Sequence, residues 1–123
     1  MNRIRTKTES IKLPIGTTPA GYPVRADFGK EFVNCLGYYA VVLQNGGLVP
    51  EACKVTLSNS AETIVDKVTL GHYLIEKTIP IKDRFFKEEP FATPGGYCNV
   101  QLDIPAVTTS ALEVQFVFLV SQD

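Results

Sequence analysis

The stretch Leu112-Glu113-Val114-Gln115-Phe116-Val117-Phe118-Leu119-Val120 decides the fold. At the two-residue period of a strand, Leu112, Val114, Phe116, Phe118 and Val120 share one face, while Val117 and Leu119 make the end of the opposite face apolar as well. Such a strand wants cover on both sides. The segment Tyr38-Tyr39-Ala40-Val41-Val42-Leu43 has the same two-sided character. A chain of 123 residues has material for only two packed layers, and two layers cover one face of each strand. The second face is therefore expected to meet another subunit, with Val117, Leu119, Tyr39 and Val41 as the candidate interface residues.

Working outward, turn signals recur at short intervals: Thr17-Thr18-Pro19-Ala20-Gly21, Gln44-Asn45-Gly46-Gly47, Ser58-Asn59-Ser60, Gly71-His72, Thr93-Pro94-Gly95-Gly96, and Pro105 through Ser110. Runs rich in Val, Ile, Thr, Tyr and Phe lie between them and predict strands over 3–13, 22–28, 37–43, 53–57, 64–70, 73–81, 97–104 and 112–121. Eight strands with connections of mixed length predict an all-β, two-sheet β-sandwich of jelly-roll or Greek-key type. Two stretches also carry helix signals. Phe28, Phe32, Val33 and Leu36 after Asp27 have approximate helical spacing, and Asn59 with Glu62 fits a capping box before Ile64, Val65 and Val68. No repeat, low-complexity tract or linker divides the chain, so residues 1–123 are expected to form one domain, with 1–13 as a basic N-terminal arm or edge strand.

Composition bounds the function. A chain of this size buries roughly two thirds of its unfolded surface, enough for a core without staples. The net charge is only −1, so no global field draws nucleic acid or an anionic membrane, and electrostatic recognition has to be local. Three widely spaced cysteines, Cys35, Cys53 and Cys98, argue against a disulfide framework and fit a reducing compartment. Met1 to Lys7 has the charge of a signal peptide's start, but no apolar core follows it, and no segment has the apolar length of a transmembrane span. No Asn-x-Ser/Thr acceptor is present.

Catalytic chemistry finds little to work with. His72, the single histidine, follows Gly71 at a turn, and no Gly-x-Ser-x-Gly or comparable motif surrounds a nucleophile. Several histidines with a carboxylate, as in a cupin-like metal site, cannot be assembled, and no Cys-x-x-Cys pair suggests zinc. Glu88 and Glu89 are adjacent, so in extended chain they point opposite ways and do not face one substrate. The expectation is no enzyme, no metal and no cofactor.

Two segments remain as binding candidates. Arg3, Arg5 and Lys7 share one strand face, with Ile4, Thr6 and Thr8 on the other, and Lys12 follows. That basic stripe suits an assembly arm lying on a neighbouring subunit, or an edge strand whose charges discourage edge-to-edge pairing. Nothing beside it reads bases, so sequence-specific nucleic-acid binding is not expected. The segment Asp83 to Phe91 carries Phe85, Phe86 and Phe91 among mixed charges, a partner loop or a loop anchored on the sandwich by its own aromatics.

Taken together, the eight predicted strands, the basic N-terminal segment, the Gly/Pro/Thr-rich loops and the doubly apolar closing strand resemble small single-jelly-roll virion proteins. The nearest type is the penton (vertex) protein of icosahedral bacteriophages with an internal membrane. The resemblance implies a non-enzymatic shell or vertex part, assembled in the host cytoplasm and retained in the virion, that forms a homo-oligomer among neighbouring capsid proteins. It further implies that Arg3, Arg5, Lys7 and Lys12 face those neighbours or the particle interior. The competing expectations are a carbohydrate- or peptide-binding module, disfavoured by the absence of Trp and the scatter of Tyr22, Tyr38, Tyr39, Tyr73 and Tyr97, and a small hydrolase or isomerase.

Overall fold

A computed structural model of the chain describes residues 4–74, 85 and 90–122. Among these, eight strands form: β1 (Ile4–Leu13), β2 (Gly21–Asp27), β3 (Asn34–Asn45), β4 (Lys54–Ser58), β5 (Thr63–Thr69), β6 (Phe91–Ala92), β7 (Tyr97–Asp103) and β8 (Leu112–Ser121). They make two four-stranded antiparallel sheets of order β1-β8-β3-β6 and β2-β7-β4-β5. The all-β sandwich expected from the sequence is what forms.

The strand order has a simple origin. β1 pairs with β8, β2 with β7, β3 with β6 and β4 with β5, each time antiparallel. This is a long two-stranded ribbon rolled up so that its successive pairs fall alternately in the two sheets, which is the jelly roll among the sandwich topologies.

Alternation then builds the core. In β8 the residues Val114, Phe116, Phe118 and Val120 are fully buried, and across the sandwich Val55, Leu57, Val100 and Leu102 face them. Phe28, Tyr38 and Phe118 stack at the centre, with ring centroids 5.3 Å apart for Phe28 and Phe118 and 5.7 Å for Tyr38 and Phe118. Tyr73 adds a fourth ring 4.8 Å from Tyr38.

Two alternative helix signals resolve as turns, and one expected strand is corrected. Residues 28–33 form a turn closed by the Phe32 N–H on the Gly29 carbonyl (3.0 Å), and Gly29 at φ 104° breaks any helix there. The helical spacing of Phe28 and Phe32 instead drops both rings into the core from a turn. Asn59 does cap, its Oδ1 accepting from the N–H groups of Ala61 and Glu62 at 2.8 Å each, but it caps a tight turn into β5 and no helix follows. Finally, Leu70–Tyr73 is a 3-10 turn and not the start of a strand over 73–81; residues 75–81 lie outside the described residues. The eighth strand is the two-residue β6, tied to its surroundings by Thr93, whose N–H and hydroxyl donate to the Val33 and Phe32 carbonyls.

Candidate assembly interface

The two sheets differ on their outer faces. On the outside of β2-β7-β4 the cross-strand neighbours are Pro23, Gln101 and Thr56 in one row and Arg25, Asn99 and Ser58 in the next. That face is polar and suits water. On the outside of β3-β8-β1 the rows read Gly37, Leu119, Thr6 and then Tyr39, Val117, Thr8 and Val41, Gln115, Ser10. Val117, Leu119, Tyr39 and Val41 are all half-buried here, brought together by register as one apolar patch.

One corner of this patch is covered from within the chain. Phe85, itself buried, sets its ring edge-on to Tyr39 at 4.9 Å, and its backbone lies so close to Gly37 that a Cβ there would run into the Phe85 carbonyl. The absence of a side chain at Gly37 is what lets the Phe85 backbone approach the sheet. Phe85 is thus an anchor onto the sandwich. Phe91 is another, pointing inward from β6 and meeting Tyr38 at 6.4 Å, while Phe86 lies outside the described residues.

The basic segment is the edge strand β1, and its register with β8 assigns its faces. Arg5 stands opposite Val120 and Lys7 opposite Phe118, on the face turned toward the second sheet, whereas Lys12 stands opposite Glu113 on the outer face. Arg3 lies outside the described residues. Arg5 folds over the margin of the core, donating to the Phe28 carbonyl at 3.0 Å with its guanidinium 4.7 Å from the Phe32 ring centre. It clamps its own domain. Lys7 lies 3.9 Å from Glu9 on the same face.

A feature that sequence reasoning missed lies at the end of the sandwich where three loops meet. Thr108, buried, donates from its hydroxyl to the Pro14 carbonyl and accepts from the Thr17 N–H, while the Thr109 N–H reaches the Gly46 carbonyl. These bonds hold the β1–β2, β3–β4 and β7–β8 connections side by side and leave Ile15, Val49 and Val107 exposed among them. Single apolar residues in turn-rich loops carry no periodicity, so nothing in the sequence marks them as neighbours.

Reactive chemistry is muted at the described positions. Among the described residues no cluster of three or more His, Cys, Asp or Glu side chains gathers to hold a metal, and no helix is long and apolar enough to cross a membrane. All three thiols are free and buried. Burial pushes the Cys35 thiol from 9.0 up to about 12, with a backbone hydrogen bond at Gly37 acting in the opposite direction. Burial likewise raises Cys98, helped by the neighbouring Cys35, and raises Cys53.

These shifts carry a pH prediction. A thiol whose folded value lies above its unfolded one contributes stability that is complete below the unfolded value and is lost as pH rises toward the folded value. For Cys35 that window runs from 9.0 to about 12, with a slope of about 1.4 kcal/mol per pH unit. Urea unfolding of wild type and Cys35→Ala between pH 8 and 11 checks this: the variant should lose stability less steeply by about that slope. Equal slopes would contradict it.

No family model matches this sequence, and no curated protein does. Among solved structures, a chain of the cyanophage Pam1 capsid asymmetric unit superposes with a TM-score of 0.56 at 9% identity, covering 98% of this chain and 85% of that one. FLHE superposes at 0.44 with 12% identity over 98% and 96% of the two chains, and a chain of infectious bursal disease virus Gx strain at 0.31 with 10% identity over 98% and 41%. The first is a likeness of fold; the other two scores fall below the level of a shared fold.

Proposed function

We propose that the chain is a structural, self-assembling subunit of a virus or phage capsid, of the minor or vertex (penton) kind, without catalytic activity. The observation that carries this reading is the asymmetry of the two outer faces. One sheet is polar toward solvent, while the other gathers Val117, Leu119, Tyr39 and Val41, with only one corner covered by Phe85 among the described residues. The jelly-roll order and the likeness in fold to a chain of a phage capsid support the same direction. Its partners are then further copies of itself and neighbouring capsid proteins, and its place is the virion, reached by assembly in the host cytoplasm.

A sugar-binding module draws less support. The Tyr97 ring is taken by the Arg25 guanidinium at 3.8 Å, and the half-buried Tyr22 ring packs against the core. Neither offers a free aromatic platform of the kind that stacks on a sugar ring.

The test is mass in solution together with presence in particles. Light scattering should give a multiple of 13.5 kDa, and the protein should appear stoichiometrically in purified particles. Replacing Val117 and Leu119 by Thr should weaken association by about tenfold or more, since each buried methyl or methylene lost is worth roughly 0.8 kcal/mol. A 13.5 kDa monomer at every concentration, absent from particles, would overturn the proposal.

A further inference from the structure

Among the described residues four strands lie at sheet edges, and three of them are blunted against pairing with another chain. β2 carries Pro23 in its middle, without an N–H to donate. β5 breaks register with β4 twice and holds Lys67 at φ 54°. β6 is two residues long. β1 is different. It runs ten residues without Pro or Gly, in unbroken register with β8 from Ile4 opposite Ser121 to Leu13 opposite Leu112. Among the described residues no strand lies on its far side and no backbone bond from a turn or loop reaches it.

Charges facing inward on an edge usually deter pairing. On β1 they are matched instead, because Arg5 is held by the Phe28 carbonyl and Lys7 lies beside Glu9. We propose that β1 is a dimerisation edge, pairing antiparallel with β1 of a second copy about a two-fold axis through Thr8. This names a contact for the self-assembly proposed above and rests on that reading.

Charge complementarity selects both the partner and the register. A two-fold axis perpendicular to the sheet keeps inner faces together, so the axis must pass through a residue position of β1. Centred on Thr8, it sets Lys7 opposite Glu9 of the second copy and Glu9 opposite Lys7 of the second copy. On the outer face it sets Thr8 against Thr8 and Thr6 against Ser10, pairs that hydrogen-bond across strands. Centred on Lys7 or Glu9, the axis puts like charges directly opposite; centred on Thr6, it puts Arg5 against Lys7; centred on Ser10, it pairs no opposite charges, setting Glu9 against Ile11 and Lys7 against Leu13. Of these centres only Thr8 pairs opposite charges without setting like charges opposite; it leaves Arg5 opposite Ile11 and Ile4 opposite Lys12 of the second copy. It is isologous and closed, and it joins the two first sheets into one of eight strands. The row Tyr39, Val117, Thr8 then continues into Thr8, Val117 and Tyr39 of the second copy.

The register makes the test specific. Thr8→Cys, Thr6→Cys and Ser10→Cys are each exposed to mild oxidation, with the three native thiols buried and unreactive in the folded protein. Thr8→Cys alone should give a covalent dimer on a non-reducing gel, because only position 8 faces itself. Lys7→Glu should weaken association tenfold or more with an unchanged thermal melt, and the double variant Lys7→Glu, Glu9→Lys should restore it. Cross-linking at all three positions, or at none while the mass remains a multiple of 13.5 kDa, overturns the β1 contact and leaves self-assembly standing. A monomeric mass at every concentration overturns both.

Discussion

Phe118→Ala is expected to be among the most damaging single substitutions in the chain, lowering stability by about 3–5 kcal/mol. Phe118 is fully buried at the middle of β8, pairs in register with Tyr38, and its ring contacts both Phe28 from the second strand's exit and Tyr38 from the adjacent strand. Truncation removes a fully buried ring between the two sheets and two aromatic contacts worth roughly 0.5–1.5 kcal/mol each beyond their area. Against a total of about 5–15 kcal/mol, the loss leaves the variant marginal, with a melting temperature lower by roughly 10–20 °C. Val117→Thr, one residue away on the outer face, should cost less than about 1 kcal/mol of folding stability. Urea titration of both decides it, and similar costs for the two would mean that the faces of β8 are assigned the wrong way round.

Gly96→Ala should rank beside it, at roughly 2–5 kcal/mol, through a different mechanism. Gly96 has φ 76°, a region that a Cβ disfavours, and it is buried against the turn after β2, where its carbonyl accepts from the Phe28 N–H at 2.7 Å. A Cβ added there would run into the Gly29 carbonyl and come within 2.8 Å of the Lys30 nitrogen, so backbone, not a flexible side chain, would have to yield. Gly16 separates the two contributions. Its φ is 84°, yet a Cβ there meets nothing within 4 Å, so Gly16→Ala should show the conformational cost alone, about 1–2 kcal/mol. Equal losses at the two positions would show that the close approach at Gly96 contributes nothing.

What was legible in the sequence depended on how far each signal reaches. The alternation in Val114, Phe116 and Phe118 reports a strand and its buried face using only neighbours two residues apart, so β8 was readable end to end. So was the apolar second face of β8 and β3, because Val117, Leu119, Tyr39 and Val41 break an alternation that would otherwise be polar. The faces of β1 were separable by the same rule, but which of them turns inward was not, since that follows from the partner: Lys7 faces inward because it pairs with Phe118. Asn59 and Glu62 illustrate a signal with two readings, as an Asn oxygen satisfies the same two or three N–H groups whether a helix or a turn follows. β6 and the seat of Phe85 over Gly37 were invisible, because a two-residue strand has no period and a single ring docking on a distant strand leaves no local trace.

The rolled ribbon has a consequence for the order of events during synthesis. In each sheet the strand nearest the centre on one side arrives late: β8 inserts between β1 and β3, and β7 between β2 and β4. A ribosome that has released β1 to β6 has released no complete sheet, and the early strands must wait unpaired on their inner edges until the last two emerge. Folding is therefore closed by the most distant pairings in the chain, which places it in the slow, millisecond-to-second regime of all-β topologies. During that interval the greasy segments of β3 are open to other chains, and synthesis of many copies in one place favours prompt closure by β8 over any stable half-folded state.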